Sequence, residues 1–191
     1  VDLLTLSAAK VYGPKQVGLL WVRPGVILSA NILGGGQELG LRSGTENVAG
    51  VVGFATALEL AQKRRSAEIK RLRKLREELV KDLRQAFPEI VTSSDMKKSL
   101  VSFLNISFPG LDAERLIFLL ESRGVLVATG SACAANSGTR SHVLSSIGLS
   151  ESEIGGSLRL TLGKLNNEDN IKLASQLIIE AVRLETERVS R

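Results

Sequence analysis

Two side chains in this sequence carry chemistry of a kind that needs positioning. Cys133 is the only cysteine of the 191 residues. It sits in Thr129-Gly-Ser-Ala-Cys133-Ala-Ala-Asn-Ser-Gly-Thr-Arg140, among small residues that cannot pack it away. Its thiolate is a nucleophile, and a polar, accessible loop favours reactivity over burial, although a free cysteine is also commonly a small core hydrophobe. Lys10, in Ser7-Ala-Ala-Lys10-Val-Tyr-Gly-Pro-Lys, follows an apolar run and precedes a Gly-Pro turn, which places its amine at a strand end. A lysine that forms a Schiff base must be held near a carbonyl group. A plain surface lysine after a strand fits the same residues.

Two further segments could bind anions. Gly34-Gly-Gly36 allows close backbone approach, and Ser43-Gly-Thr45 stands where a helix is expected to start, so backbone N–H groups and a hydroxyl could meet a phosphate; a structural turn with a cap explains the same pattern. Neither the P-loop nor the dinucleotide fingerprint matches. Arg159, in Ser157-Leu-Arg159-Leu-Thr-Leu-Gly163, alternates with leucines along a strand. If the leucines face the core, the guanidinium points outward or into a cleft, where its fork could hold a carboxylate.

The elements that must position these groups follow from periodicity. Leu3–Leu6 and Val17–Val22 read as strands broken by Gly13-Pro14 and Gly18. Ser43 with Glu46 has the form of a capping box opening a helix to about Gln62. Ser66 is predicted to cap a second helix with Ile69, Leu72, Leu75, Leu79 and Leu83 on one stripe. Beyond it are expected a strand over Leu100–Phe108, a helix over Asp112–Arg123, a short strand Val125–Ala128, a short helix near Ser141–Ile147 and a strand Ser157–Leu162. A last helix runs from about Asn167 to Arg188, with Asn166 and Asp169 as its cap pair. The alternation predicts α/β or α+β layers, with a boundary near residues 62–68.

Composition narrows the function. With 43% hydrophobic and 24% charged residues and a net charge of +5, the chain reads as an ordinary soluble protein. Much of the positive charge lies in Lys63–Arg76, where interrupting leucines make a solvated helix face the better reading than a nucleic-acid site. Aromatic residues, at 4%, leave little for stacking on bases. One cysteine and one histidine, His142, supply no metal site and no disulfide. No apolar run is long enough for a membrane span and no signal peptide opens the sequence, so the cytoplasm or an equivalent reducing compartment is expected. The opening on Val1, straight into a strand, with Met96 the only methionine, suggests that upstream sequence is missing.

Taken together and in this order, the lysine segment, the glycine-rich loop Gly34–Asn47, the cysteine loop and the arginine strand resemble the cysteine desulfurases of the NifS/IscS class, fold-type I pyridoxal-phosphate enzymes of the class V aminotransferase family. The run Cys133–Leu144 resembles the longer cysteine loop of the housekeeping and nitrogen-fixation group. The resemblance covers only the family's C-terminal half. It implies an α/β fold in which residues 1–65 are the end of a large cofactor-binding domain and residues 66–191 a small domain carrying the cysteine.

It also implies roles. Lys10 would hold pyridoxal phosphate through its amine and move the Cα proton of L-cysteine. Ser7 would contact the phosphate in its own subunit, and Thr45 that of the partner in a homodimer. Arg159 would grip the substrate carboxylate. Cys133 would take the sulfur as a persulfide for an iron–sulfur scaffold or another acceptor. Residues 1–191 alone are expected to be inactive. A selenocysteine lyase, a related class V enzyme and a degenerate non-catalytic homologue are the alternatives. Two departures stand out: Ala9 replaces the family's usual histidine before the lysine, and Gln16 replaces the glycine of its Gly-Pro-Lys-Gly.

Overall fold

The computed structural model describes residues 1–93, 95–130 and 141–191. It divides into two compact units, Val1–Ser66 and Ala67–Arg191.

In the first unit, strand β1 (Leu3–Ser7) pairs antiparallel with β2 (Gly18–Val22) in a two-stranded ribbon, from Leu3 opposite Val22 to Ser7 opposite Gly18. Leucines on both faces of this ribbon, and Trp21, remain about half exposed. Between the strands a 3-10 turn, Ala8–Val11, holds Lys10. A long glycine-rich loop then leads to helix α1 (Val48–Ala86).

Helix α1 differs from expectation at both its start and its middle. Ser43 does not cap it; Asn47, directly before the helix, accepts a hydrogen bond from the Gly50 N–H at 3.0 Å. Nor does a second helix begin at Ser66. The 39 residues of α1 are continuous, because Gln62–Arg71 contains neither glycine nor proline and is rich in good helix formers.

The second unit packs the C-terminal part of α1 against a three-stranded antiparallel sheet of order β3-β4-β5, formed by Val91–Thr92, Phe103–Ser107 and Ser157–Thr161. Helices α2 (Ala113–Glu121) and α5 (Glu168–Val189) complete the core. Two short helices, α3 (His142–Ser146) and α4 (Glu151–Gly155), precede β5. Asp112, Ser141 and Ser150 cap α2, α3 and α4 through their side chains. The cap pair of α5 is Asn167 with Asn170, one residue later than Asn166 with Asp169. The expected strand Val125–Ala128 reduces to a single bridge, Ala128 to Arg159.

The core joins Leu72, Leu75, Leu79 and Leu83 of α1 with Leu104 and Ile106 of β4, Leu158 of β5 and Ile178 of α5. Phe87 and Phe108 meet edge to face at 5.9 Å. Arg76 corrects the reading of Lys63–Arg76 as wholly solvated: it is only 1% exposed. Its guanidinium donates to the carbonyls of Met96, Leu100 and Phe103 and to Ser99 Oγ. It falls on the leucine stripe, one residue after Leu75 and three before Leu79, so helical spacing carries it inward. Ile69, expected on that stripe, lies at its exposed end.

A second buried charge fastens α2 to α5. Glu185, 1% exposed, accepts from Arg188 at 2.7 and 3.0 Å and from Arg115 at 3.1 Å. The hydrogen bonds from Arg188 hold its carboxyl below the usual carboxylate range, against burial, which pushes the other way. A carboxyl with a lowered folded-state value adds stability above the ordinary glutamate range and loses it as the pH falls through the folded value. Glu185→Gln is therefore expected to lower unfolding stability by about 2 kcal/mol at neutral pH. The gap from wild type should close below about pH 4; urea unfolding over a pH series measures both.

Candidate active site

Lys10 is placed from below. Ala8 follows β1 directly and is fully buried. Its N–H donates to the Val17 carbonyl at 3.1 Å, and its carbonyl accepts from the Gly13 N–H at 2.8 Å. The chain thus folds into one tight turn between two ribbon strands. Tyr12 closes it in the left-handed region, at φ 62°.

Gly13 leaves little room for a side chain: a Cβ would stand 3.0 Å from the Ala8 carbonyl oxygen and 3.2 Å from Ala57 Cβ, so its neighbours would have to give by a few tenths of an ångström. Pro14 lies against α1 at Gly53, where a Cβ would be 2.6 Å from the proline Cγ. With Ala8 turned inward, Ala9 and Lys10 face solvent. Gln16 also stands in the left-handed region, at φ 63°.

Ser7, at the last ribbon pair, is one turn from Lys10 and exposed. Among the described residues, Lys10 Nζ, Ser7 Oγ and Thr45 Oγ1 form no hydrogen bond or ion pair. An unpaired amine beside an unpaired hydroxyl is a donor set that fits a phosphorylated aldehyde. Ala9 adds nothing to it, since a methyl group cannot bond a phosphate.

Thr45 lies in the same unit, exposed, at the end of the glycine-rich loop. That loop is tied by a parallel bridge between Ile32 and Arg42 and by the buried hydroxyl of Ser43, which donates to the Gly35 carbonyl at 2.7 Å. Ser43 was expected to act at the helix start, whereas its hydroxyl bonds inside the loop. The run of three glycines beside it was the available signal.

Arg159 belongs to the other unit. Leu158 and Leu160 are buried and Arg159 alternates with them, partly exposed, opposite Asn105 of β4. Its backbone exchanges hydrogen bonds with Ala128 at 2.6 and 3.2 Å. One guanidinium nitrogen donates to the Gly130 carbonyl, while Nε is buried without a partner among the described residues. A buried unpaired donor costs about 1–3 kcal/mol, so this edge of the guanidinium is suited to an acceptor such as a carboxylate. Cys133 lies outside the described residues.

Comparison with known proteins sets these features in a family. The class-V aminotransferase family model matches residues 1–173. The chain belongs to that family. It is 42% identical over 185 residues to the cysteine desulfurase IscS of Clostridium botulinum, covering 96% of this chain and 47% of the relative. A solved NifS-like protein matches with a TM-score of 0.86 and 36% identity, over 96% of this chain and 47% of its own. SspA, solved in complex with cysteine, matches at 34% identity and a TM-score of 0.59, over 85% and 44%. The chain therefore spans about half the length of the curated relatives it matches, and over that half its mixed α/β architecture is the one found in the NifS-like structures.

The turn that carries Lys10 can be tested by two substitutions. Gly53→Ala should destabilise the protein although alanine is the better helix former by about 1 kcal/mol, because its methyl group meets Pro14. Gln16→Gly should raise the melting temperature, since relief of a left-handed conformation worth about 1–2 kcal/mol exceeds glycine's entropic cost of roughly 0.5–1 kcal/mol. Thermal unfolding followed by circular dichroism reads both.

Proposed function

We propose that the full-length protein is a pyridoxal-phosphate-dependent cysteine desulfurase, which removes sulfur from L-cysteine and leaves L-alanine. The observation that carries this reading is the amine of Lys10, unpaired among the described residues and held at a ribbon end on the buried Ala8 turn, in a chain 42% identical to a cysteine desulfurase. Pyridoxal phosphate, when bound, supplies the electron sink that lets negative charge develop at the substrate Cα.

The chain's own residues do the rest. The amine of Lys10 would carry the cofactor and then take and return the Cα proton. The Ser7 hydroxyl would donate to the phosphate in its own subunit, and Thr45 to that of a second subunit, which makes a homodimer part of the reading. Arg159 would bind the substrate carboxylate with its unused guanidinium edge, as a fork can. The Cys133 thiolate would attack the substrate sulfur. A new S–S bond forms, the C–S bond breaks, its electron pair stays with the substrate carbon, and a proton there completes alanine. The sulfur remains on Cys133 as a persulfide for an acceptor, with an iron–sulfur scaffold protein in the cytoplasm as the partner this reading implies.

The test uses the full-length chain with L-cysteine, following alanine, persulfide and the visible absorbance of lysine-bound cofactor. Lys10→Ala should abolish that absorbance and lower turnover by about 10²-fold or more. Cys133→Ser should keep the absorbance and stop persulfide formation. Retention of persulfide in the Cys133 variant would sink the proposal. Ala9 favours one other reading, a degenerate binding homologue, and full biological function in a Cys133→Ala strain would support it.

A further inference from the structure

Among the side chains that brace the loop before Thr45 are two, Ser43 and Gln37, to which the proposed reaction gives no part. Nearly every residue from 33 to 47 is exposed, and Ser43 is the buried exception. Its hydroxyl holds the Gly35 carbonyl at 2.7 Å, and its N–H donates to the Ile32 carbonyl at 3.3 Å. Gln37 reaches the same place from the other side: its Oε1 accepts from the Gly44 N–H at 3.3 Å.

The glycines make room for both. A Cβ on Gly34, at φ 150°, would stand 3.1 Å from Ser43 Cβ, and one on Gly35 would stand 2.6 Å from Gln37 Oε1. Ser43 and Gln37 thus lie directly against the backbone of the glycine run, and their bonds converge on residues 43 and 44.

Such a loop buries little apolar surface to offset the entropy of ordering it. Besides the backbone turns at Gly40 and Leu41, the Ile32–Arg42 bridge and the bond from the Arg42 guanidinium to the Ser43 carbonyl, this pair of cross-braces holds it in one shape, and they end one residue short of Thr45. The Thr45 hydroxyl makes no bond of its own among the described residues, so the backbone at 43 and 44 determines where it points. A ligating group must be held to within about 0.5 Å by its supporting residues to be effective.

We infer that Ser43 and Gln37 are positioning residues for the cofactor phosphate, acting through Thr45. This rests on the reading of Thr45 as a phosphate ligand. Neither side chain touches the phosphate. Together they fix the backbone from which the Thr45 hydroxyl reaches it.

The test compares affinities of the full-length apoprotein for pyridoxal phosphate and for pyridoxal, which lacks the phosphate. A residue that only supports folding weakens both. Thr45→Ala, Ser43→Ala and Gln37→Met should each raise the Kd for pyridoxal phosphate by up to about tenfold and leave that for pyridoxal unchanged. In a Thr45→Ala background, Ser43→Ala or Gln37→Met should add less than about twofold, the non-additivity expected of residues acting through one group.

Equal weakening of both ligands, full additivity with Thr45→Ala, or unchanged affinity in both brace variants would overturn the inference. If Thr45→Ala itself leaves the ratio of the two affinities unchanged, the reading of Thr45 is the part that fails, and the inference falls with it. Should Ser43→Ala not fold, Gln37→Met decides the matter, because Gln37 is less buried and its replacement has similar volume.

Discussion

The placement of Lys10 depends on how closely one turn packs against one helix. Gly13 and Gly53 are the two points of contact: an added carbon would collide with the Pro14 ring at Gly53 and crowd Ala8 and Ala57 at Gly13. That approach drives the Pro14 ring onto α1 and seals Ala8 beneath it. With Ala8 fixed, the next two residues have no choice but to face outward, and Lys10 is one of them. A lysine side chain has four rotatable bonds, so its amine is placed only as well as its Cα. Here the Cα is held by β-ribbon hydrogen bonds on one side and by helix packing on the other.

The second unit solves the same problem with charge in its interior. Arg76 gathers three carbonyls and a hydroxyl from the 96–103 connection onto α1, which anchors the approach to β4. Strand β4 in turn sets the register of β5, and β5 presents Arg159. Removing one partner from such a buried charged cluster costs more than the cluster contributes to stability. The register itself matters, since a slip by one residue would turn Arg159 into the core and a leucine out of it.

Much of this was legible in the sequence, and the misses share a cause. The ribbon, the sheet strands β4 and β5, and helix α5 were visible because an alternating or 3.6-residue apolar pattern reports burial directly. Lys10 became a candidate because it stands where such a pattern stops, and Arg159 because it alternates with leucines within one. What could not be read was the partner of each polar side chain. Ser43 with Glu46 has capping-box spacing, yet the hydroxyl turns into the loop, because a glycine run nearby offers a carbonyl at closer range. Arg76 looks solvated in a basic stretch, and only its phase on the leucine stripe gives its burial away. Glu185 pairs with Arg115, seventy residues earlier, a contact that no local pattern encodes.

A division of labour emerges from the described residues. Lys10, Ser7 and Thr45 are exposed and unpaired, whereas Ala8, Ser43 and Arg76 are buried and bonded. These three side chains contribute nothing to holding themselves in place, which leaves their polar atoms free for a ligand and makes them replaceable with little loss of stability. The anchors carry that burden through backbone contacts, so substitutions there should disturb chemistry and folding together. Gln16 shows how far the arrangement tolerates departure: it sits in a left-handed conformation that glycine would adopt more readily, and the turn retains its shape because the Gly13–Ala8 and Pro14–Gly53 contacts determine it.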